Sequence, residues 1–158
     1  MVFFLTFFIG IILVIGIIFY LIFGYTNKKT FAVRSQILSG TKTFLAHWKY
    51  DNINIADYQP FGSGLTLYKK KLADVKEIYI CLDGILFGDV VFYSWNRLAT
   101  FKKLEIKAGN PPSIHFKIEY GSGDSETINE FYIPIPEEKE IEAKSVVDTL
   151  SSFVQFDR

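Results

Sequence analysis

The chain has 158 residues, 49% of them hydrophobic, with 17 basic and 17 acidic side chains and a formal net charge of zero. That balance argues against a nucleic-acid binder, which carries a basic excess. One cysteine, Cys81, excludes an internal disulfide and is compatible with a reducing compartment.

Residues 2–24 hold no charge, and Thr6 is their only clearly polar side chain. As a helix the run would span roughly 35 Å, enough for a bilayer core of about 30 Å. A cleaved signal peptide wants positive residues before its apolar core and a small-residue exit after it, and neither is present. Residues 1–25 therefore read as a retained transmembrane helix, with Tyr20 and Tyr25 suited to an interfacial belt. Lys28, Lys29, Arg34 and Lys42 follow it, and the first acid is Asp51. By the positive-inside rule this places the N-terminus outside and the C-terminal domain in the cytoplasm of a single-pass inner-membrane protein.

Residues 26–41 read as a basic juxtamembrane connector. It can continue as a helix with Phe31, Ile37 and Leu38 against headgroups, ended by Gly40. About 130 residues remain, one ordinary domain at 42–158. "KTFLAHWKYDN" predicts a strand. Residues 51–67 are aperiodic, with Pro60, Gly62 and Gly64 marking a loop around at most one helical turn.

From Lys69 onward the pattern is β. "VKEIYICL" puts Ile78, Ile80 and Leu82 on one face, and Asp83-Gly84 and Gly88-Asp89 are turns. "FKKLEIKA" alternates Leu104 and Ile106 against Lys103, Glu105 and Lys107. "IHFKIEY" sends Ile114, Phe116, Ile118 and Tyr120 inward and His115, Lys117 and Glu119 outward; "TINEFYIPI" is the last strand. The period then becomes helical. Pro136 suits a helix start, and Glu137, Glu138 and Glu140 suit its first turn. Ala143, Val146, Val147, Leu150, Phe153 and Val154 form one apolar stripe.

Three segments carry a resemblance: "LAHWKYD" at 45–51, "DGILFGDVVFYSWNRL" at 83–98 and "FYIPIPEEKEIEAKSVVDTL" at 131–150. Together they resemble small bacterial pleckstrin-homology-like (PH-like) domains tied to membrane helices. A glycine turn precedes a short hairpin, a Trp-x-x-aliphatic step runs from Trp95 to Leu98, and Ile133-Pro134-Ile135-Pro136 opens the last helix. The resemblance covers roughly residues 41–154. It implies a single transmembrane helix plus an α+β domain, a PH-like antiparallel β-barrel or sandwich capped by a C-terminal helix. Trp95 would then pack over an open barrel end; alternatively Trp95, Asn96 and Arg97 face a partner.

Candidate chemistry is thin. His47 and His115 lack metal-ligand spacing, and neither a nucleophile elbow nor a phosphate loop is present. His115 reads as solvated and Cys81 as a small hydrophobe. Neither a catalytic residue nor a metal or cofactor is expected. Lys28, Lys29 and Arg34 are the expected membrane-surface contacts, and Lys69, Lys70 and Lys71, with Trp95 and Arg97, the candidate lipid or partner contacts. Three functions are compatible with this sequence. The first is a non-catalytic accessory or scaffolding subunit of a membrane assembly, with lipids and an integral-membrane protein as partners and no nucleic acid. The second is a free-standing surface module reading anionic lipid or peptide. The third is an enzyme of unknown class whose site lies in 51–67.

Overall fold

The computed structural model describes residues 2–60, 62–95, 99–121 and 126–153; within the first helix it describes the side chains of 11–18, 20, 21 and 24 onward. That helix, α1, runs unbroken over Val2–Leu38. Seven antiparallel strands follow: β1 Ala46–Lys49, β2 Glu77–Cys81, β3 Gly84–Phe87, β4 Val91–Ser94, β5 Ala99–Lys107, β6 Ser113–Tyr120 and β7 Thr127–Pro134. Between β1 and β2 lie 3₁₀ turns at Ile55–Tyr58 and Thr66–Tyr68 and the short helix α2, Lys69–Leu72. Helix α3, Glu140–Phe153, ends the described chain.

The transmembrane reading is corrected. Among the described residues no helix is long and apolar enough to cross a membrane. Helix α1 is not apolar along its whole length. Farther along, the same helix carries Lys28, Lys29 and Arg34 and lies on a sheet. The single-pass topology, the inner-membrane location and the orientation fall with it.

The barrel is corrected too. Among the described residues the strands form two separate sheets, sheet 1 ordered β1-β2-β3-β4 and sheet 2 ordered β5-β6-β7, and no closed barrel is seen. Side chains occupy backbone groups on two of the outer strands, β4 and β7. On β4 the Phe92 N–H donates to Thr30 Oγ1 of α1 at 3.0 Å. On β7 the Tyr132 carbonyl accepts from Gln59 Nε2 at 2.8 Å and the Pro134 carbonyl from the Tyr50 hydroxyl at 2.9 Å. These caps satisfy groups that would otherwise pair with another strand.

The main core lies between the inner faces of the sheets. Ile78, Ile80, Ile85 and Phe87 come from one, and Ile114, Phe116, Ile118, Phe131 and Ile133 from the other. Phe116 and Phe131 stack at 4.9 Å. The strict alternation in β6 yields the buried face expected for Ile114, Phe116 and Ile118. In β5 a register shift between Phe101 and Lys103 lets Phe101 and Leu104, three apart, both turn inward. Helix α3 adds Ala143, Val146 and Leu150 to this core, and its Glu142 accepts from Trp48 Nε1 of β1 at 3.1 Å. It begins at Glu140, four residues after Pro136, because residues 136–139 first close a turn with Glu138 at φ 65°.

The 51–67 loop is structural. Ile55, Ala56 and Leu65 are buried in the main core, and Gln59 is the β7 cap. At Asp83-Gly84 the glycine is required by space: a Cβ there would meet the Tyr93 carbonyl oxygen at 2.5 Å and the Phe92 ring at 2.6 Å. Leu82 lies in this turn, 40% exposed, so only Ile78 and Ile80 of its expected trio are core.

Candidate functional site

Sheet 1 has a second buried face. Strand β2 sends Ile78 and Ile80 to the main core and Tyr79 and Cys81 the other way. There they meet Leu86, Phe92 and two residues of α1, Val33 and Ile37. The spacing of Thr30, Val33 and Ile37 puts all three on one helical face. Burying Val33 and Ile37 is worth about 1.5–3 kcal/mol each. Gly40, at φ 73°, ends the helix as expected and lets the chain turn toward β1.

A polar rim surrounds this seam. Lys29 Nζ donates to Ser94 Oγ at 2.7 Å. Arg34 pairs with Asp89 and, at 3.4 Å, with Glu77; Lys42 pairs with Asp83 at 2.7 Å. Lys29 and Lys42 also lie 5.5 and 5.4 Å from the Phe92 ring centroid. Glu77 is the hub, since His47 Nε2 lies 3.0 Å from its carboxylate and the Tyr79 hydroxyl donates to it at 3.3 Å. His47 stacks on Tyr79, its cross-strand partner, at 4.1 Å. Beside α1 runs a cleft of about 410 Å³ lined by Phe31, Arg34, Ser35, Leu38 and Ser39.

Sheet 2 repeats the His–Tyr–Glu arrangement. His115 faces its cross-strand partner Tyr132, stacked at 4.5 Å. Its Nε2 lies 2.9 Å from Glu130 and its Nδ1 3.4 Å from Glu105, while the Tyr132 hydroxyl donates to Glu130 at 2.8 Å. Far from solvated, His115 is 4% exposed, because its two carboxylates and the phenol ring cover it. In the sequence each unit is marked by Glu-x-Tyr, at 77–79 and 130–132, with one of the two histidines opposite.

The titration shifts describe donors held in their protonated form. Burial, then the Glu77 carboxylate, raises the Tyr79 phenol. Burial, then its bond to Glu130, pushes Tyr132 up to about 12. Burial pushes the Cys81 thiol up to about 11, the opposite of a reactive cysteine. Glu130 is held below the ordinary carboxylate range by the Tyr132 hydroxyl first and by His115 after it. Among the described residues no group of three or more His, Cys, Asp or Glu could hold a metal ion.

The expected contact residues do not converge. Lys28 is exposed, whereas Lys29 and Arg34 are spent on the seam. Lys69, Lys70 and Lys71 are exposed on α2, anchored by buried Leu72. Trp95 is core: its Nε1 donates to the Leu82 carbonyl at 2.6 Å and its ring meets Phe101 and Phe116 at 5.4 and 5.9 Å. Arg97 lies outside the described residues. The sequence reading missed Thr30, Glu77 and Asp89, whose roles depend on partners distant in the chain. A comparison with known protein families, with curated proteins and with solved structures finds no match to this chain.

Proposed function

We propose that the protein is a non-catalytic accessory or scaffolding subunit, in which a PH-like domain holds α1 out as an arm for a partner protein. One observation carries this reading. Ile11, Ile12, Leu13, Val14, Ile15, Ile17 and Ile18 are each 42–64% exposed, so α1 is apolar on all sides there. A helix that is apolar all round is stable only when something apolar surrounds it. The other end of the same helix is fixed to sheet 1 by burial, by Thr30 and by Arg34, so the arm is aimed by the domain. The resemblance to PH-like domains is supported by four strands, then three, then a helix on β1.

Gentle extraction of the tagged full chain, followed by sizing and mass spectrometry, tests the proposal. Elution with other proteins in fixed stoichiometry supports it. Elution free of other proteins overturns it and favours the second reading, for which the observation is the exposed run Lys69, Lys70 and Lys71. That reading expects binding to anionic liposomes or acidic peptide, lost in high salt or when the three lysines become glutamine.

A further inference from the structure

The residues that α1 buries do not belong to the main core. Among the described residues, the cluster of Val33, Ile37, Tyr79, Cys81, Leu86 and Phe92 has no member in common with the cluster between the sheets. Sheet 1 is fixed to the rest of the domain by its other face, through Ile78, Ile80, Ile85 and Phe87. Lifting residues 29–42 from the sheet would therefore uncover one apolar face and leave the main core filled. The lifted segment has natural ends as well. Gly40 turns the chain at φ 73°, and the backbone rejoins the sheet at Leu45, whose N–H donates to the Ile80 carbonyl. A part built this way opens at a lower free energy than the whole fold.

The polar rim of the seam has its charges segregated. The cations Lys29, Arg34 and Lys42 come from α1 and the segment after it, and the anions Glu77, Asp83 and Asp89 that meet Arg34 and Lys42 come from sheet 1 and its turns. Asp83 and Asp89 are exposed. Arg34 also borders an open cleft on each side. One, of about 490 Å³, it shares with Asn27, Thr30, Phe31 and Asp89; the other, of about 250 Å³, it shares with Asp74, Lys76, Glu77 and Asp89. Solvent thus reaches these pairs, and such pairs weaken as ionic strength rises. We infer that residues 29–42 are a strap, latched to sheet 1 by this basic-on-acidic rim, that opens as a unit while the main core stays closed. Opening frees the Phe92 N–H from Thr30 and uncovers Cys81, so two separate reporters move together.

The inference concerns how α1 is held and needs no partner, so it stands or falls apart from the subunit role. The test uses the full chain in mild detergent and without denaturant. Alkylation of Cys81 by uncharged iodoacetamide is read by mass, and amide exchange is compared between Phe92 of β4 and the β6 amides of the main core. Between about 0.01 M and 1 M sodium chloride the screening length falls from roughly 30 Å to about 3 Å. Over that range Cys81 alkylation and Phe92 exchange should both rise several-fold, while β6 exchange stays constant. Arg34→Gln with Lys42→Gln should raise both rates already at low salt and remove most of the salt response; constant β6 exchange shows that the variant is folded. Three results would overturn the inference. Cys81 and Phe92 opening only at the β6 rate would mean that α1 leaves the sheet with global unfolding alone. Rates indifferent to salt and to the double variant would mean that the rim is no latch. Alkylation rising without Phe92 exchange would mean that the segment does not move as a unit.

Discussion

Thr30 and Phe92, 62 positions apart, share one hydrogen bond in which the β4 amide donates to the threonine hydroxyl at 3.0 Å. The hydroxyl in turn donates a hydrogen bond to the Thr26 carbonyl at 2.9 Å. Both groups are thereby satisfied at a buried site, and an outer strand is closed by a helix. Replacing Thr30 with valine keeps the shape and strands the Phe92 N–H. The expected cost is about 1–3 kcal/mol, read as a lower denaturation midpoint with unchanged slope. A neutral result would mean that the amide finds another acceptor.

Cys81 reports on the same seam. Its thiol is covered by α1 and raised to about 11, so at pH 8 only about a thousandth is thiolate. Alkylation of the native chain should be very slow and should become fast in denaturant. Ile37→Ala should weaken the seam by about 2–3 kcal/mol and raise the alkylation rate several-fold, with circular dichroism unchanged. An unchanged rate would show that α1 does not shield the thiol.

Glu138 sits at φ 65° in the turn before α3, a left-handed conformation that costs a residue with a Cβ about 1–2 kcal/mol. Glycine accepts that conformation but loses more chain entropy on folding. Glu138→Gly should therefore gain about 0.5–1 kcal/mol net. Its exposure leaves no buried contact to lose, and thermal unfolding measures the change. Destabilisation would mean that the carboxylate contributes more than the turn's strain.

Local pattern made some of this architecture legible and concealed the rest. Alternation in β6 gave its inner face, and Gly40 gave the end of α1, because both are decided by neighbours in the chain. The membrane expectation for α1 rests on a continuous uncharged run, which dominates any local reading. Thr30, Val33 and Ile37 show their purpose only when sheet 1 lies beneath them. Strand β2 hid its second face for the same reason, since Tyr79 and Cys81 look outward until a helix covers them. His115 holds an outward position in the alternation, which by itself predicts a solvated side chain. Burial there comes from Glu105 on one neighbouring strand and Glu130 and Tyr132 on the other. The barrel failed as an expectation because edge capping by Thr30, Gln59 and Tyr50 has no periodic signature.

That His115 cluster also sets an acid limit. Glu130 titrates below its ordinary value of 4.5, first because the Tyr132 hydroxyl donates to it and then because of His115. A depressed carboxyl contributes stability that is fully present above its unfolded value and is lost as pH falls through its lower folded value. Urea midpoints should thus be flat in this contribution from pH 7 to about 5 and fall below about 4.5. Glu130→Gln should flatten the fall in that window. Tyr132→Phe removes the leading donor, so the Glu130 carboxyl should titrate nearer its ordinary value, and the fall in that window should become shallower. Carboxyl titration by NMR reads the first effect and urea unfolding the second. If Glu130 titrates at the same pH with and without the Tyr132 hydroxyl, that bond is not what holds the carboxylate, and the aligned His115 ring becomes the cause to test.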